Sequence, residues 1–317
     1  MQTTLPVVFP IFALILAGYF CRKQQFIGET AAAELNKFVV YLALPALLFD
    51  VLSHTSLSTL NQPRFLLVYG LSSSLVFGGA LILRLYQSRH IIDASIDSLG
   101  ASYANTGFMG LPLCALSFGS QSLAPAIIAT ILTVCLTFAA GIVFVELGLQ
   151  PNQQTHKVLW SVTGKLLHNP LILAPLAGAL YSFSGFTVPA PAEQLLKLLG
   201  GAATPCALVS IGLFLAQKQP VEKKTQAMGV QRSALILVGL KLIVQPALTW
   251  FLVIRWLPMP TIWTNTAILM SALPTGTGPY MLAEFYKREA AVTSRVILLS
   301  TAASLVTVSV LLSWMHP

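Results

Sequence analysis

Apolar runs of about twenty residues, long enough to cross a bilayer as helices, fill most of this chain, and one is interrupted where a helix tolerates it least. Ser102 to Leu113 reads Ser-Tyr-Ala-Asn-Thr-Gly-Phe-Met-Gly-Leu-Pro-Leu. Pro112 lacks an N–H and crowds the carbonyl of Phe108, while Gly107 and Gly110 weaken the helix around it. In hydrocarbon, freed backbone groups persist only where protein buries them or a polar cavity meets them. Two readings follow. Either the span is broken at mid-membrane with Asn105 beside the break, the build of a transport site, or it is a proline-kinked helix whose Asn105 bonds a neighbour.

Ala272 to Tyr286 answers the first stretch. It carries Pro274, Thr275, Gly276, Thr277, Gly278, Pro279 and Tyr280 inside another membrane-length segment. Paired interruptions in the two halves of a membrane protein point to a transport site. The Gly276-Thr277-Gly278 triplet is no dinucleotide loop, because no soluble strand precedes it and a proline flanks each side.

Only 9% of the residues are charged and 56% are hydrophobic. A soluble domain carries about 25% charged residues, so the composition predicts an integral membrane protein. The net charge of +8 falls in short loops, which fits membrane orientation and excludes nucleic acid as a partner. Cys21, Cys114, Cys135 and Cys206 have no metal or disulfide spacing and read as packing residues. The first residues lack a basic region and a cleavage site, so no signal peptide is expected.

The apolar runs predict an all-α protein of ten spans, at 4–21, 31–53, 65–86, 94–118, 123–148, 168–186, 191–216, 232–256, 262–285 and 290–314. Loops on one side carry twelve Lys or Arg residues and those on the other carry Arg64 and Arg255 alone. The basic side is therefore cytoplasmic, with both termini outside. Pro10 with Leu16-Ala17-Gly18 reappears as Pro170 with Leu176-Ala177-Gly178, and Lys37, Ala43 and Pro45 as Lys197, Ala203 and Pro205, at one offset of 160 residues. Ser102, Thr106 and Gly107 match Ser271, Thr275 and Gly276 at an offset of 169. Five spans per copy is odd, so the plan is a 5+5 inverted repeat: residues 1–149, a cytoplasmic linker 150–167, and residues 168–317. Broken spans 4 and 9 are then mates that cross near the midplane.

The run Asn105-Thr106-x-x-Met109-Gly110-x-Pro112-Leu113 resembles the fourth-helix motif of the auxin efflux carrier family. Leu273-Pro274-x-Gly276-x-x-Pro279-Tyr280-x-x-Ala283-Glu284 is similar to its ninth-helix motif. Asn36-Lys37, Ala43-Leu44-Pro45 and Phe49 resemble its second helix, and Lys241 with Pro246 its eighth. That family includes plant PIN-formed carriers and bacterial permeases for malonate and malate. The long cytoplasmic loop of many plant members is absent, as in the bacterial branch. The resemblance implies an NhaA-like, elevator-type carrier of the bacterial inner membrane. Spans 1, 2, 6 and 7 would form the scaffold, through which a homodimer is compatible, and spans 3–5 and 8–10 the transport unit.

Asn105 is the leading binding candidate, since its amide donates to a carboxylate without burying a charge. A half-helix starting near Gly107 or Gly110 would aim free N–H groups at an anion, aided by Thr106, Thr275 and Thr277. Tyr280 either packs on the substrate or fills the core. Lys241, deep in span 8, either neutralises the substrate or caps carbonyls freed at a break. Asp50 and Asp97 are proton-coupling candidates, and Pro45 and Pro205 are kinks of spans 2 and 7. No nucleophile–base pair, metal cluster or cofactor motif is present, so no enzyme is expected. The expected function is alternating-access carriage of small organic anions such as malonate, malate or auxin-like carboxylates. A sodium-coupled symporter of the bile-acid type and a non-transporting sensor are the alternatives.

Overall fold

The structure is a computed structural model that describes residues 5–56, 61–149, 164, 168, 170–216, 224–288 and 291–315. Most of the expected linker 150–167 lies outside the described residues. The described residues form helices and no β-strand: α1 (Leu5–Lys23), α2 (Ala31–Ser53), α3 (Pro63–Tyr86), α4 (Ile91–Ser102), α5 (Thr106–Phe118), α6 (Ser120–Leu149), α7 (Pro170–Phe183), α8 (Ala190–Leu215), α9 (Met228–Arg255), α10 (Thr261–Ala272), α11 (Gly278–Phe285) and α12 (Ala291–Met315). Six of them, α2, α3, α6, α8, α9 and α12, are long and apolar enough to cross a membrane. Large apolar side chains such as Phe9, Leu67, Leu180, Ile254 and Trp314 stand exposed on the outside. That surface suits lipid rather than water.

Three of these helices handle a proline in the same way. α2 passes through a π turn at Val39–Ala43 just before Leu44-Pro45, α5 through Thr106–Gly110 before Leu111-Pro112, and α9 through Leu240–Val244 before Gln245-Pro246. In each, the residue before the proline donates five residues back: Leu44 to Val39, Leu111 to Thr106, Gln245 to Leu240. The widened turn makes room for the proline ring without ending the helix. Pro205 behaves differently, lying inside the unbroken α-helix Ala190–Leu215. Pro45 and Pro205, expected as matching kinks, are thus absorbed in two different ways.

Small residues set the packing of α1, α2, α7 and α8. A Cβ at Gly212 would overlap the Ile15 carbonyl, and one at Gly18 the Val209 carbonyl, so α8 and α1 touch backbone to backbone. Gly178 of α7 likewise stands against the Phe49 carbonyl of α2. Close approach of this kind drives helix association where no hydrophobic effect operates. The other helices pack among themselves, α3 on α4, α4 on α6, and α9 on α10 and α12. Two ion pairs and a hydrogen bond fasten one end of this second group. Arg84 holds Asp97 at 2.7 Å, Arg288 holds Asp93 at 2.6 Å, and the Tyr286 hydroxyl donates to Glu146 at 2.5 Å. The Asp93 carboxylate keeps the Arg288 guanidinium protonated above its ordinary range.

Candidate functional site

The two interruptions meet. Asn105 N–H donates to the Pro274 carbonyl at 2.8 Å and Gly276 N–H to the Tyr103 carbonyl at 3.0 Å, so Ala104 and Thr275 face one another as an isolated antiparallel bridge. The first break lies at Tyr103–Asn105, upstream of the Gly107 or Gly110 expected from the sequence. The π turn explains the shift: it accommodates Pro112 inside α5, leaving Thr106 to start the helix and Asn105 as its cap. Gly276 and Gly278 are needed for closeness. A Cβ on either would come within 2.9 Å of the Tyr103 ring.

Every interrupted helix exposes carbonyls at its C-terminal end and N–H groups at its N-terminal end. Here the carbonyl ends are sealed by side chains. Thr275 Oγ1 donates to the Gly100 carbonyl at 2.6 Å, Gln245 Nε2 reaches the Ser102 carbonyl at 3.4 Å, and Lys241 Nζ donates to the Ser271 carbonyl at 2.7 Å. Lys241, Gln245, Ser271 and Thr275 are all 0% exposed. Of the two roles open to Lys241, its geometry matches capping of a freed carbonyl.

The N–H ends are left open. Among the described residues, the amides of Gly107 and Phe108 at the start of α5, and of Thr277 and Gly278 at the start of α11, meet no acceptor. Beside them is a cavity of about 170 Å³, lined from the crossover by Tyr103, Asn105, Thr106, Gly107, Gly276 and Thr277. Its opposite wall is Asn36, Val40 and Leu44 of α2, with Thr130, Val134 and Phe138 of α6. Asn105 is only 8% exposed, yet its side-chain amide bonds no described protein group. The amide opens onto the cavity, so its donors and acceptor are available to whatever occupies that space. Two helix N-termini and that amide therefore converge on a space suited to an anion.

Not every expected site residue lies on this wall. Tyr280 lines an adjoining lobe and packs edge-on against Phe214, with centroids 4.9 Å apart. Pro274, Thr275, Pro279 and Gly110 are buried in the crossover's packing rather than on the cavity wall. A Cβ on Gly110 would crowd Met270 and Leu273. Asp97 is taken up by Arg84, and the side chain of Glu284 lies outside the described residues. Asp50 and Pro112 line a separate cavity of about 300 Å³ toward the other end of α2, with Leu47, Leu111 and Lys197. Asp50 Oδ1 is buried there without a hydrogen bond, 3.6 Å from His54 Nδ1. Leu44 and Phe108 on the wall of the first cavity and Leu111 on that of the second are all buried.

The sequence reading left Thr130, Val134 and Phe138 out of the site. They sit on an apolar helix with no interruption other than a π turn at Thr133–Phe138, and no proline announces it. Tyr103 and Phe108 lie within the interrupted stretch Ser102 to Leu113, and that placement is the signal the sequence offers.

A family profile described as membrane transport protein matches residues 4–312. The chain is 29% identical over 307 residues to a Rhizobium meliloti (strain 1021) protein named as a candidate malonate transporter, covering 96% of this chain and 94% of that one. It is 25% identical over 311 residues to an uncharacterised transporter of Methanocaldococcus jannaschii, covering 96% of each. Over 332 residues it is 23% identical to auxin efflux carrier component 8 of Arabidopsis thaliana, covering 87% of this chain and 88% of that carrier.

Proposed function

The chain belongs to the membrane transport protein family, that of the auxin efflux carriers, and from that membership we propose that it carries small organic carboxylates across the membrane by alternating access. The observation that carries this reading is Asn105, whose buried amide lacks a described protein partner and faces a cavity between two open helix N-termini. An amide and backbone N–H groups bind a carboxylate without a buried countercharge, which lets the substrate leave as well as enter. Malonate and malate are the first acids to test, because the relative of 29% identity is named for malonate.

The proposed architecture is ten crossings in two inverted copies of five, counting α4 with α5 and α10 with α11 as broken spans. Helices α1, α2, α7 and α8 would form a fixed scaffold joined through Gly18, Gly178 and Gly212. The remaining helices would move as one unit fastened by the ion pairs at their end. An elevator step along α2 would carry the crossover from the cavity at Asn36 toward the cavity at Asp50, past Leu44. In this reading the membrane is a bacterial inner membrane, the loops rich in Lys and Arg and the Asn36 end lie on its cytoplasmic side, and both termini lie outside.

A sodium-coupled symporter would need carbonyls or acids near the crossover to hold the ion. The Ser271 carbonyl already receives Lys241, which favours carriage without sodium. The test is counterflow of labelled malonate and malate into proteoliposomes, with and without sodium, for wild type and Asn105→Ala. Sodium-independent flux that vanishes in the variant is expected. Flux that survives the substitution removes Asn105 from the site, and flux that requires sodium restores the symporter.

A further inference from the structure

Resting on the carboxylate reading above, we infer that the cavity holds a second carboxylate subsite, formed by Asn36 and Lys37 of α2, which selects short dicarboxylates over monocarboxylates. The cavity of about 170 Å³ against the crossover adjoins a lobe of about 210 Å³. Asn36, Phe108, Thr277 and Met281 belong to both walls, so the two spaces share a boundary. Asn105, Gly107 and Gly278 line the first lobe and not the second, and Phe108 and Thr277 stand at the boundary, so a ligand reaching into the second lobe needs a further point of recognition there.

The second lobe supplies it on α2. Asn36 sits at the junction, and its Nδ2 meets only the Met281 sulfur, at 3.7 Å. Sulfur is a weak acceptor that a carboxylate oxygen displaces. Lys37 lines the second lobe with its side chain 63% exposed, held at 2.9 Å by Glu34 in its own helix. An exposed pair of this kind is readily exchanged for a ligand. Ser210 also lines the lobe, but its hydroxyl donates to the Ala32 carbonyl and presents only lone pairs. Among the described lining residues, Lys37 is the one cation. An uncharged tail there gains nothing from the ammonium, while a second carboxylate can take the place of Glu34 on it.

The experiment is counterflow of labelled malonate into proteoliposomes holding the purified full chain, with unlabelled malonate and its monomethyl ester as competitors. The ester keeps one carboxylate and masks the other. Wild type should prefer malonate by about tenfold or more, the worth of one charge-assisted contact. Lys37→Gln and Asn36→Leu should erase that preference by raising KM for malonate alone, and Lys37→Arg should keep it. Preference that survives both substitutions overturns the subsite and leaves carboxylate carriage standing. So does a wild type that carries the ester as well as malonate. Absence of flux with every mono- and dicarboxylate overturns the parent reading along with the subsite. Thermal unfolding in detergent checks each variant's fold; if Asn36→Leu unfolds, exposed Lys37 decides alone.

Discussion

The two ends of each broken helix receive opposite treatment. At the C-terminal ends of α4 and α10, the freed carbonyls of Gly100, Ser102 and Ser271 are met by Thr275, Gln245 and Lys241. At the N-terminal ends of α5 and α11, the amides of Gly107, Phe108, Thr277 and Gly278 and the side chain of Asn105 are left to a cavity. Any interrupted membrane helix creates both kinds of orphan group. A protein that seals the negative ends and opens the positive ones has prepared a place for an anion. Satisfying the carbonyls internally, partly with a lysine, also removes the groups a bound cation would use.

The comparison breaks most sharply at Asn105, on the open side. Asn105→Ala removes no described protein hydrogen bond, so its thermal unfolding should match wild type. Flux of the carried acid should fall about a hundredfold, as expected when a substrate-orienting group is lost from a site. Equal loss of stability and flux would mean that the amide supports the fold and the open side is not a ligand site. Thr275→Val tests the sealed side and should behave the other way round. It strands the buried Gly100 carbonyl, costing about 1–3 kcal/mol of stability. Its flux should fall mainly in step with the folded fraction, measured by unfolding in detergent and by counterflow on the same preparation.

How far the letters revealed this arrangement differs between the two sides. The meeting of two broken spans was legible, because Pro112, Pro274 and Pro279 with their glycines sit inside apolar runs where soluble-protein explanations fail. The position of the first break was not. It depends on whether a proline ends a helix or is taken up by a π turn, and the π turn here lies in a tertiary contact that the letters do not show, with Gly110 packed close to Met270 of α10 and to Leu273 just beyond it. Thr275 looked like a binding hydroxyl for the same reason as Thr106: each follows a break. Only the bond from Thr275 to Gly100, 175 residues apart in the chain, separates them. Such a contact leaves no local periodicity to read. Lys241 was visible as an ionisable group at depth, but its direction, toward Ser271, is a tertiary fact.

Lys241→Met sharpens the sealed side further, with a smaller effect. The substitution relieves a fully buried ammonium of its desolvation penalty and strands the Ser271 carbonyl, and these act in opposite directions. Net stability should change by no more than ~2 kcal/mol, while flux falls about tenfold as the end of α10 loosens. A loss beyond ~4 kcal/mol would show that the ammonium has an anionic partner in the folded protein. It would then be a charge pair rather than a cap.

Gly107→Ala, on the open side, should give the smallest change and the most discriminating one. A Cβ at Gly107 would stand 3.5 Å from Leu44 Cδ1 and 4.0 Å from Thr130 Cγ2, ordinary contacts that need no movement. Gly107 is the second residue of α5, and alanine suits a helix better than glycine, so stability should hold or rise by up to about 1 kcal/mol. The methyl group nevertheless enters the wall of the cavity, beside one of the open amides. KM for the carried acid should therefore rise severalfold with little change in maximal flux. Gly110→Ala is the control: its Cβ would crowd Met270 and Leu273 away from the cavity wall, so it should cost stability without that selective rise in KM. If Gly107→Ala lowered stability and left KM unchanged, the glycine would belong to the packing of the break. The open amides would then face a space too wide to read a single methyl group.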